Sequence, residues 1–436
     1  MDPKAPHPDR WSSYLSEIFT SGKPPVLGTV DIKEIDERAQ EVLKRDSPAY
    51  LYVSGSAGTG STKRANRKAF DRWKIIPRVL TDASVRNMET TIFGVKYPSP
   101  LFVAPIGTQG VLHADGELAT ARAAANIGVP FIMSAASSRS IEDIAKANGP
   151  SAHRWYQLYW PRTADVTLSV LKRVKSNGFT ALVVTVDAMR LGWRPSEIKS
   201  AFLPTVYGVG VQVGVADPVF MARHGLEPRH ETTKFPFDPQ AIRQRAVGGD
   251  EGAKKMMALS KEWISEANPG VFRTWDDIKF LRDNWDGPLV LKGLQSVKDA
   301  EKAIEMNVDG IIVSNHGGRQ VDGAIASLDA LDRICQSRKV LEAQRSGKFT
   351  VLFDSGIRTG SDIIKALALG AQGVLIGRPF MYGLAIAGQA GVEQILQQTL
   401  ADLHVTLGLC GFKHVSDIVG KRGDIMIKAS EWKSKL

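Results

Sequence analysis

Cysteine is almost missing: only Cys335 and Cys410 occur in 436 residues, too few for a disulfide framework or a cysteine-built metal centre. That points to a reducing compartment. The eight histidines show no His-x-x-x-His spacing, so no metal is expected. No uncharged apolar run approaches the roughly 20 residues that cross a bilayer, and the opening "MDPKAPHPDRWSSYLSEIF" lacks the basic-then-apolar order of a secretory signal. Arginine-rich tails and zinc-finger spacings are absent too. The formal charge of +10 therefore reads as a solvated basic surface that helps draw in small anions, not as a nucleic-acid footprint.

What is present suits a large soluble α/β core: 43% hydrophobic and 23% charged residues. Eight short, continuous apolar runs recur: "LFVAPIG" (101–107), "VPFIMSA" (129–135), "WYQLYW" (155–160), "ALVVTVD" (181–187), "PLVLKG" (288–293), "GIIVSN" (310–315), "FTVLFDS" (349–355) and "GVLIGR" (373–378). Runs that do not alternate imply strands buried on both faces, and the stretches between them have helical spacing. Eight β-then-α units predict a (β/α)8 TIM barrel. A doubly wound open sheet is the rival, but no Gly-x-Gly-x-x-Gly follows an early strand.

The whole chain, 1–436, reads as one barrel domain. Residues 1–100 form an N-terminal helical extension whose helices "DIKEIDERAQEVLKR" and "RANRKAFDRW" are expected to cap the barrel's N-terminal side. Residues 203–287 are far longer than a barrel crossover and predict a partly ordered active-site lid, with helices at "DPQAIRQRA" and "EGAKKMMALSKEWISEA". The final Ser434-Lys435-Leu436 matches the tripeptide read by the peroxisomal import receptor; peroxisomal import is expected, with the cytoplasm as the alternative.

Reactive groups in such barrels gather where strands end. The third run supplies Gln157 and Tyr159, the fourth Thr185 and Asp187, the fifth Lys292, the sixth His316 and Arg319, the seventh Asp354, Gly356 and Arg358, the eighth Gly377 and Arg378. "DSGIRTG" and "IGRP" place glycine-lined backbone and two arginines at the seventh and eighth strands, where these barrels often hold a phosphate. The ligand should be phosphorylated, and a flat, hydrogen-bonding cofactor such as a flavin fits across the mouth.

"SNHGGRQ", "LVLKG", "TVDAMRLGWR", "QLYW", "FDSGIRTGSDIIKALALGAQGVLIGRP" and "YVSGSAG", in that barrel, resemble the FMN-dependent 2-hydroxy acid oxidase and dehydrogenase family, which includes glycolate oxidase, lactate oxidase and lactate 2-monooxygenase. The likeness runs from about residue 30 to 420 and breaks at 203–270. It implies FMN as cofactor, His316 as catalytic base and Asp187 as its partner. It also implies a substrate-carboxylate clamp of Arg194 and Arg319 aided by Tyr52, with Tyr159 on the substrate hydroxyl or carboxylate edge. Lys292 would stabilise the anionic reduced ring. Ser134, Gln157, Thr185, Ser314 and backbone from Pro105, Ile106 and Gly107 would bind the flavin. Asp354, Gly356, Arg358, Gly377 and Arg378 would hold the ribityl-phosphate. A base near the α-carbon is what oxidation of a hydroxy acid needs, and a histidine accepts a proton near neutral pH.

Within the family, Ala136 stands where glycolate oxidase carries an aromatic residue, so the pocket should be wider. That alanine and the long insertion resemble lactate 2-monooxygenase most. The expected activity is oxidation of an (S)-2-hydroxy acid with oxygen, releasing hydrogen peroxide; oxidative decarboxylation and a dehydrogenase with another acceptor are the alternatives. A nucleotide dehydrogenase of the inosine monophosphate type would need a cysteine at a strand end, and neither cysteine lies there. A flavin-binding protein without catalysis is the bland alternative. By family analogy the chain should be a homo-oligomer, often a tetramer.

Overall fold

The computed structural model describes residues 10–230 and 235–430. Its centre is a closed barrel of eight parallel strands: β1 (Leu101–Val103), β2 (Phe131–Ser134), β3 (Arg154–Leu158), β4 (Leu182–Thr185), β5 (Leu289–Leu294), β6 (Gly310–Val313), β7 (Thr350–Phe353) and β8 (Gly373–Ile376). β8 pairs with β1 to close the ring. Each strand coincides with one of the eight apolar runs.

Two-sided burial has a visible cause. Alternate residues face inward, where Phe102, Ile132, Trp155, Val183, Val290, Ile312, Leu352 and Leu375 form one cluster. Their neighbours, such as Val103, Met133, Tyr156, Val184, Leu291 and Val313, join the larger outer core beneath the helices. A strand flanked by apolar layers on both faces has no solvated side on which polar residues could alternate. Register then aligns the strand ends: Ser134 lies beside Gln157, and Thr185 beside Lys292.

The N-terminal extension departs from expectation. The barrel's N-terminal end is plugged by the hairpin Thr90–Ile92/Val95–Tyr97, with Phe93 packed 5.6 Å from Trp155 and Tyr97 5.3 Å from Phe102. The helices expected there lie elsewhere. Ile32–Leu43, capped by Asp31, packs on the long helix Arg378–Leu409. Ser61–Asp71 packs on the turn after β6, at the opposite mouth. Amphipathic spacing shows that a helix has a buried face, not which surface covers it. Here polar contacts decide: Asn66 exchanges amide hydrogen bonds with Asn315 at 2.8 and 2.7 Å, and Thr62 bonds the Val321 carbonyl at 2.8 Å.

Between β4 and β5 the chain forms several helices, including Pro239–Val247 and Glu251–Ala267. Trp263 anchors them: its ring lies so close to Gly214 that a Cβ there would meet it at 2.1 Å. Phe202 joins this segment to the mouth, stacking on Tyr207 and meeting Tyr52 edge-on at 6.4 Å. Residues 434–436 lie outside the described residues. No helix among the described residues is long and apolar enough to cross a membrane.

Candidate active site

A cleft with about 940 Å³ of empty space opens at the C-terminal ends of the strands. Tyr52, Pro105, Ile106, Gly107, Ser134, Ala136, Tyr159, Lys292, His316, Arg319, Asp354, Gly356, Arg358, Gly377 and Arg378 line it. Gln157, Thr185, Asp187, Arg194 and Ser314 are not among its lining residues; Gln157, Asp187, Arg194 and Ser314 hydrogen-bond to residues that are. The residues singled out in the sequence therefore converge on one place, in two layers.

The turn after β6 carries the most unusual backbone. His316, Gly317 and Gly318 all have positive φ, at 57°, 65° and 75°, a region that residues other than glycine rarely adopt. The conformation is fixed from outside. Ser314 Oγ accepts from the His316 N–H at 3.0 Å, and a Cβ on Gly318 would lie 2.6 Å from the Lys63 nitrogen. This turn swings the imidazole over the cleft, where its Nδ1 lies 3.0 Å from Asp187 Oδ1. With Nδ1–H donated to the carboxylate, the basic lone pair sits on Nε2.

Burial pushes the His316 pKa below its ordinary value, outweighing the attraction of Asp187. Burial alone would raise the Asp187 carboxyl, but His316 and Lys292 hold it low. A neutral imidazole beside an ionised carboxylate is the state of a base ready to accept a proton. Asp187 approaches because β5 bulges: the register slips between Lys292 and Leu294, and Gly293, at φ 114°, has no Cβ to strike Asp187 at 2.5 Å.

Three cations serve the mouth. Lys292 Nζ is buried, 3.3 Å from Asp354 and 3.2 Å from Ser314 Oγ; burial would lower its pKa, but Asp354 and Asp187 raise it, so it stays charged. Arg194 and Arg319 share a partner that the sequence reading missed, the buried Glu197. It lies 3.3 Å from Arg194 and 2.8 Å from Arg319. Gln320 was missed too, and its carbonyl oxygen accepts from Arg194 Nη2 at 2.7 Å. The remaining bonds of Arg319 run from Nη1 to the Tyr52 and Gly55 carbonyls, leaving Nε and part of Nη2 without a protein acceptor among the described residues. One net positive charge and one open guanidinium edge match one carboxylate. The signal for Glu197 was its place three residues after Arg194 on the Pro195–Lys199 helix. Tyr159 is pushed up to about 12, chiefly by burial, and so keeps its hydroxyl proton to donate.

At the other end, Ser355 and Gly356 have positive φ, and the N-terminus of helix Arg378–Leu409 has no side-chain cap at Gly377. Arg358 and Arg378 donate to main-chain carbonyls. An uncapped helix N-terminus with two guanidiniums that have no carboxylate partner among the described residues forms an anion site. In the middle, the Gln157 amide oxygen accepts from Ser134 Oγ and the Ala135 N–H, while its buried Nε2 has no partner among the described residues. A phosphate cradle, an orphaned amide donor and a buried lysine along one cleft fit FMN.

A family model described as FMN-dependent dehydrogenase matches residues 39–424. The chain belongs to the FMN-dependent dehydrogenase family. It is 42% identical over 414 residues to an FMN-dependent alpha-hydroxy acid dehydrogenase of Penicillium citrinum, covering 94% of this chain and 95% of that protein. An L-lactate oxidase of Lysinibacillus sphaericus is 38% identical over 86% of this chain and 88% of its own length. A crystal structure of mandelate oxidase superposes with a TM-score of 0.71 at 33% identity, covering 90% of this chain and 97% of that one. FMN is thus the cofactor of this FMN-dependent dehydrogenase, and the resemblance read from the six motifs holds.

Proposed function

We propose that this chain oxidises an (S)-2-hydroxy acid to the 2-oxo acid and that oxygen is the final acceptor, giving hydrogen peroxide. Bound FMN supplies the acceptor for the substrate's two electrons. Arg319 and Arg194 hold the carboxylate, and Tyr159 donates to the substrate hydroxyl or carboxylate edge. His316 Nε2 takes a proton, and Asp187 stabilises the imidazolium that results. Charged Lys292 favours negative charge on the ring side of the cleft. Ser134, Gln157, Thr185 and the backbone from Pro105 to Gly107 would bind the ring, and Asp354, Gly356, Arg358, Gly377 and Arg378 would hold the ribityl-phosphate. The observation that carries the reading is the His316–Asp187 pair opening onto the same cleft as a half-free arginine clamp. The test is His316→Asn, which should retain flavin and lose its bleaching by hydroxy acid; retained bleaching overturns the assignment.

Oxidative decarboxylation is a second reading, favoured by the 203–287 segment. Its Gly210 packs so close to the Ala136 carbonyl that a Cβ there would meet it at 2.8 Å, which puts the segment beside the Ala136 side of the cleft. One peroxide per oxo acid with no carbon dioxide supports the oxidase; carbon dioxide without peroxide supports the lid-retained decarboxylation. Relatives of rice and Arabidopsis are named as peroxisomal (S)-2-hydroxy acid oxidases, and Ser434-Lys435-Leu436 suits the same address here. A tagged copy without those three residues should stay cytosolic. Self-association follows from family analogy, and sedimentation of the holoenzyme checks it.

A further inference from the structure

The phosphate end of the cleft does not close at its two arginines. Gly317, Gly356, Arg358 and Arg378 also line a second cavity, whose other wall is the helix Ser61–Asp71 with Lys63 and Arg67 facing in. Arg67 is neutralised by Asp362 at 2.7 Å. Lys63, Arg358 and Arg378 have no carboxylate at ion-pair distance among the described residues. Lys63 Nζ rests instead on the Ser54 carbonyl at 2.7 Å. Burial, then Arg378, Arg358 and Arg319, bring Lys63 down to about 8 against the pull of Asp36. Burial lowers Arg378 to about 10, with Arg319 and Arg358 adding to it. Three crowded cations that hydrogen-bond only to carbonyls are a site that an anion would complete.

We propose that Lys63 is a third cation of the FMN phosphate site, closing the cradle from the N-terminal extension. Its backbone is held in place for this. The Lys63 nitrogen and Cα press on Gly318, Arg67 reaches the Gly356 carbonyl, and Asn66 locks to Asn315. The side chain therefore has a fixed root beside the cradle and needs only to swing from Ser54 toward the anion. The bound phosphate thereby fastens the extension to the barrel, so cofactor occupancy and docking of the Ser61–Asp71 helix reinforce each other. The inference rests on FMN as cofactor and is independent of which hydroxy acid is oxidised.

Riboflavin provides the test, since it has the same ring and ribityl chain without the phosphate. Apoprotein of wild type, Lys63→Met, Lys63→Gln and Lys63→Arg is titrated with FMN and with riboflavin, following quenching of flavin fluorescence. One charge-assisted contact to a phosphate is worth about tenfold or more in affinity. Lys63→Met and Lys63→Gln should weaken FMN by that factor and leave riboflavin within about twofold of wild type. Lys63→Arg, which keeps the charge, should bind FMN within about threefold. Unchanged FMN affinity in the two neutral variants overturns the proposal. Equal weakening of FMN and riboflavin overturns it too, because it assigns Lys63 to holding the fold. Circular dichroism identifies a misfolded variant, and the other neutral substitution then decides.

Discussion

Replacing Asp187 by asparagine removes one charge and leaves the shape. In the native pair a carboxylate oxygen lies 3.0 Å from His316 Nδ1. At an effective dielectric of about 20, unit charges at that distance attract by about 5.5 kcal/mol once the imidazole is protonated. An asparagine oxygen keeps a neutral hydrogen bond worth about 1 kcal/mol, and the proton is only partly transferred in the transition state. About 3–4 kcal/mol of transition-state stabilisation should be lost, which slows the chemical step about 10²–10³-fold. The assay is anaerobic stopped-flow bleaching of the bound flavin at saturating hydroxy acid. Acetate affinity, read from its perturbation of the flavin spectrum, should stay within about threefold, because the arginine clamp is untouched. A slowing of less than about tenfold with acetate binding intact would refute the claim that Asp187 works through the charge of His316.

Acidification should switch off bleaching only below the ordinary histidine range of about 6.5, since burial holds the His316 pKa down and the base form persists to lower pH. A loss of activity centred above pH 7 would contradict this. Glu197→Leu leaves two buried guanidiniums facing each other and should destabilise the protein by about 3–5 kcal/mol in denaturant titrations; no change means that Glu197 does not neutralise the clamp. Gly293→Ala puts a methyl group 2.5 Å from the Asp187 Cβ at a positive φ. FMN should remain bound while bleaching slows by more than about tenfold, and full activity would show that the bulge does not set the position of Asp187.

The barrel was legible because its strands are buried on both sides, which turns each into an unbroken apolar run such as "ALVVTVD". His316, Asp187, Lys292 and Arg358 were legible for a related reason: each lies at, or a few residues beyond, the end of such a run. Tyr52 was not, since it lies far upstream on the Pro48–Ser54 helix, and only resemblance to a family pointed to it. The destination of the extension was hidden as well. Helical spacing in "RANRKAFDRW" shows a buried face, but the choice of mouth depends on Asn66 meeting Asn315, 249 residues later. Glu197 had a local signal, its place three residues after Arg194, whereas Gln320 escaped notice because its role is fixed by the guanidinium it touches, a three-dimensional fact. Gly293 sits in "VLKGLQ" like any strand-end glycine, and its reason appears only when Asp187 is seen where a Cβ would be.

The central claim is that one cleft joins a base, a carboxylate clamp and bound FMN into a hydroxy acid oxidation site. The most direct test mixes the purified holoenzyme, without oxygen, with (S)- and (R)-2-hydroxy acids from glycolate through lactate to long-chain and aromatic members, and follows the flavin absorbance. The account predicts rapid bleaching by at least one (S)-acid and none by its mirror image, with the effect lost in His316→Asn. Flavin that stays bound and yellow with every acid in the panel would contradict it.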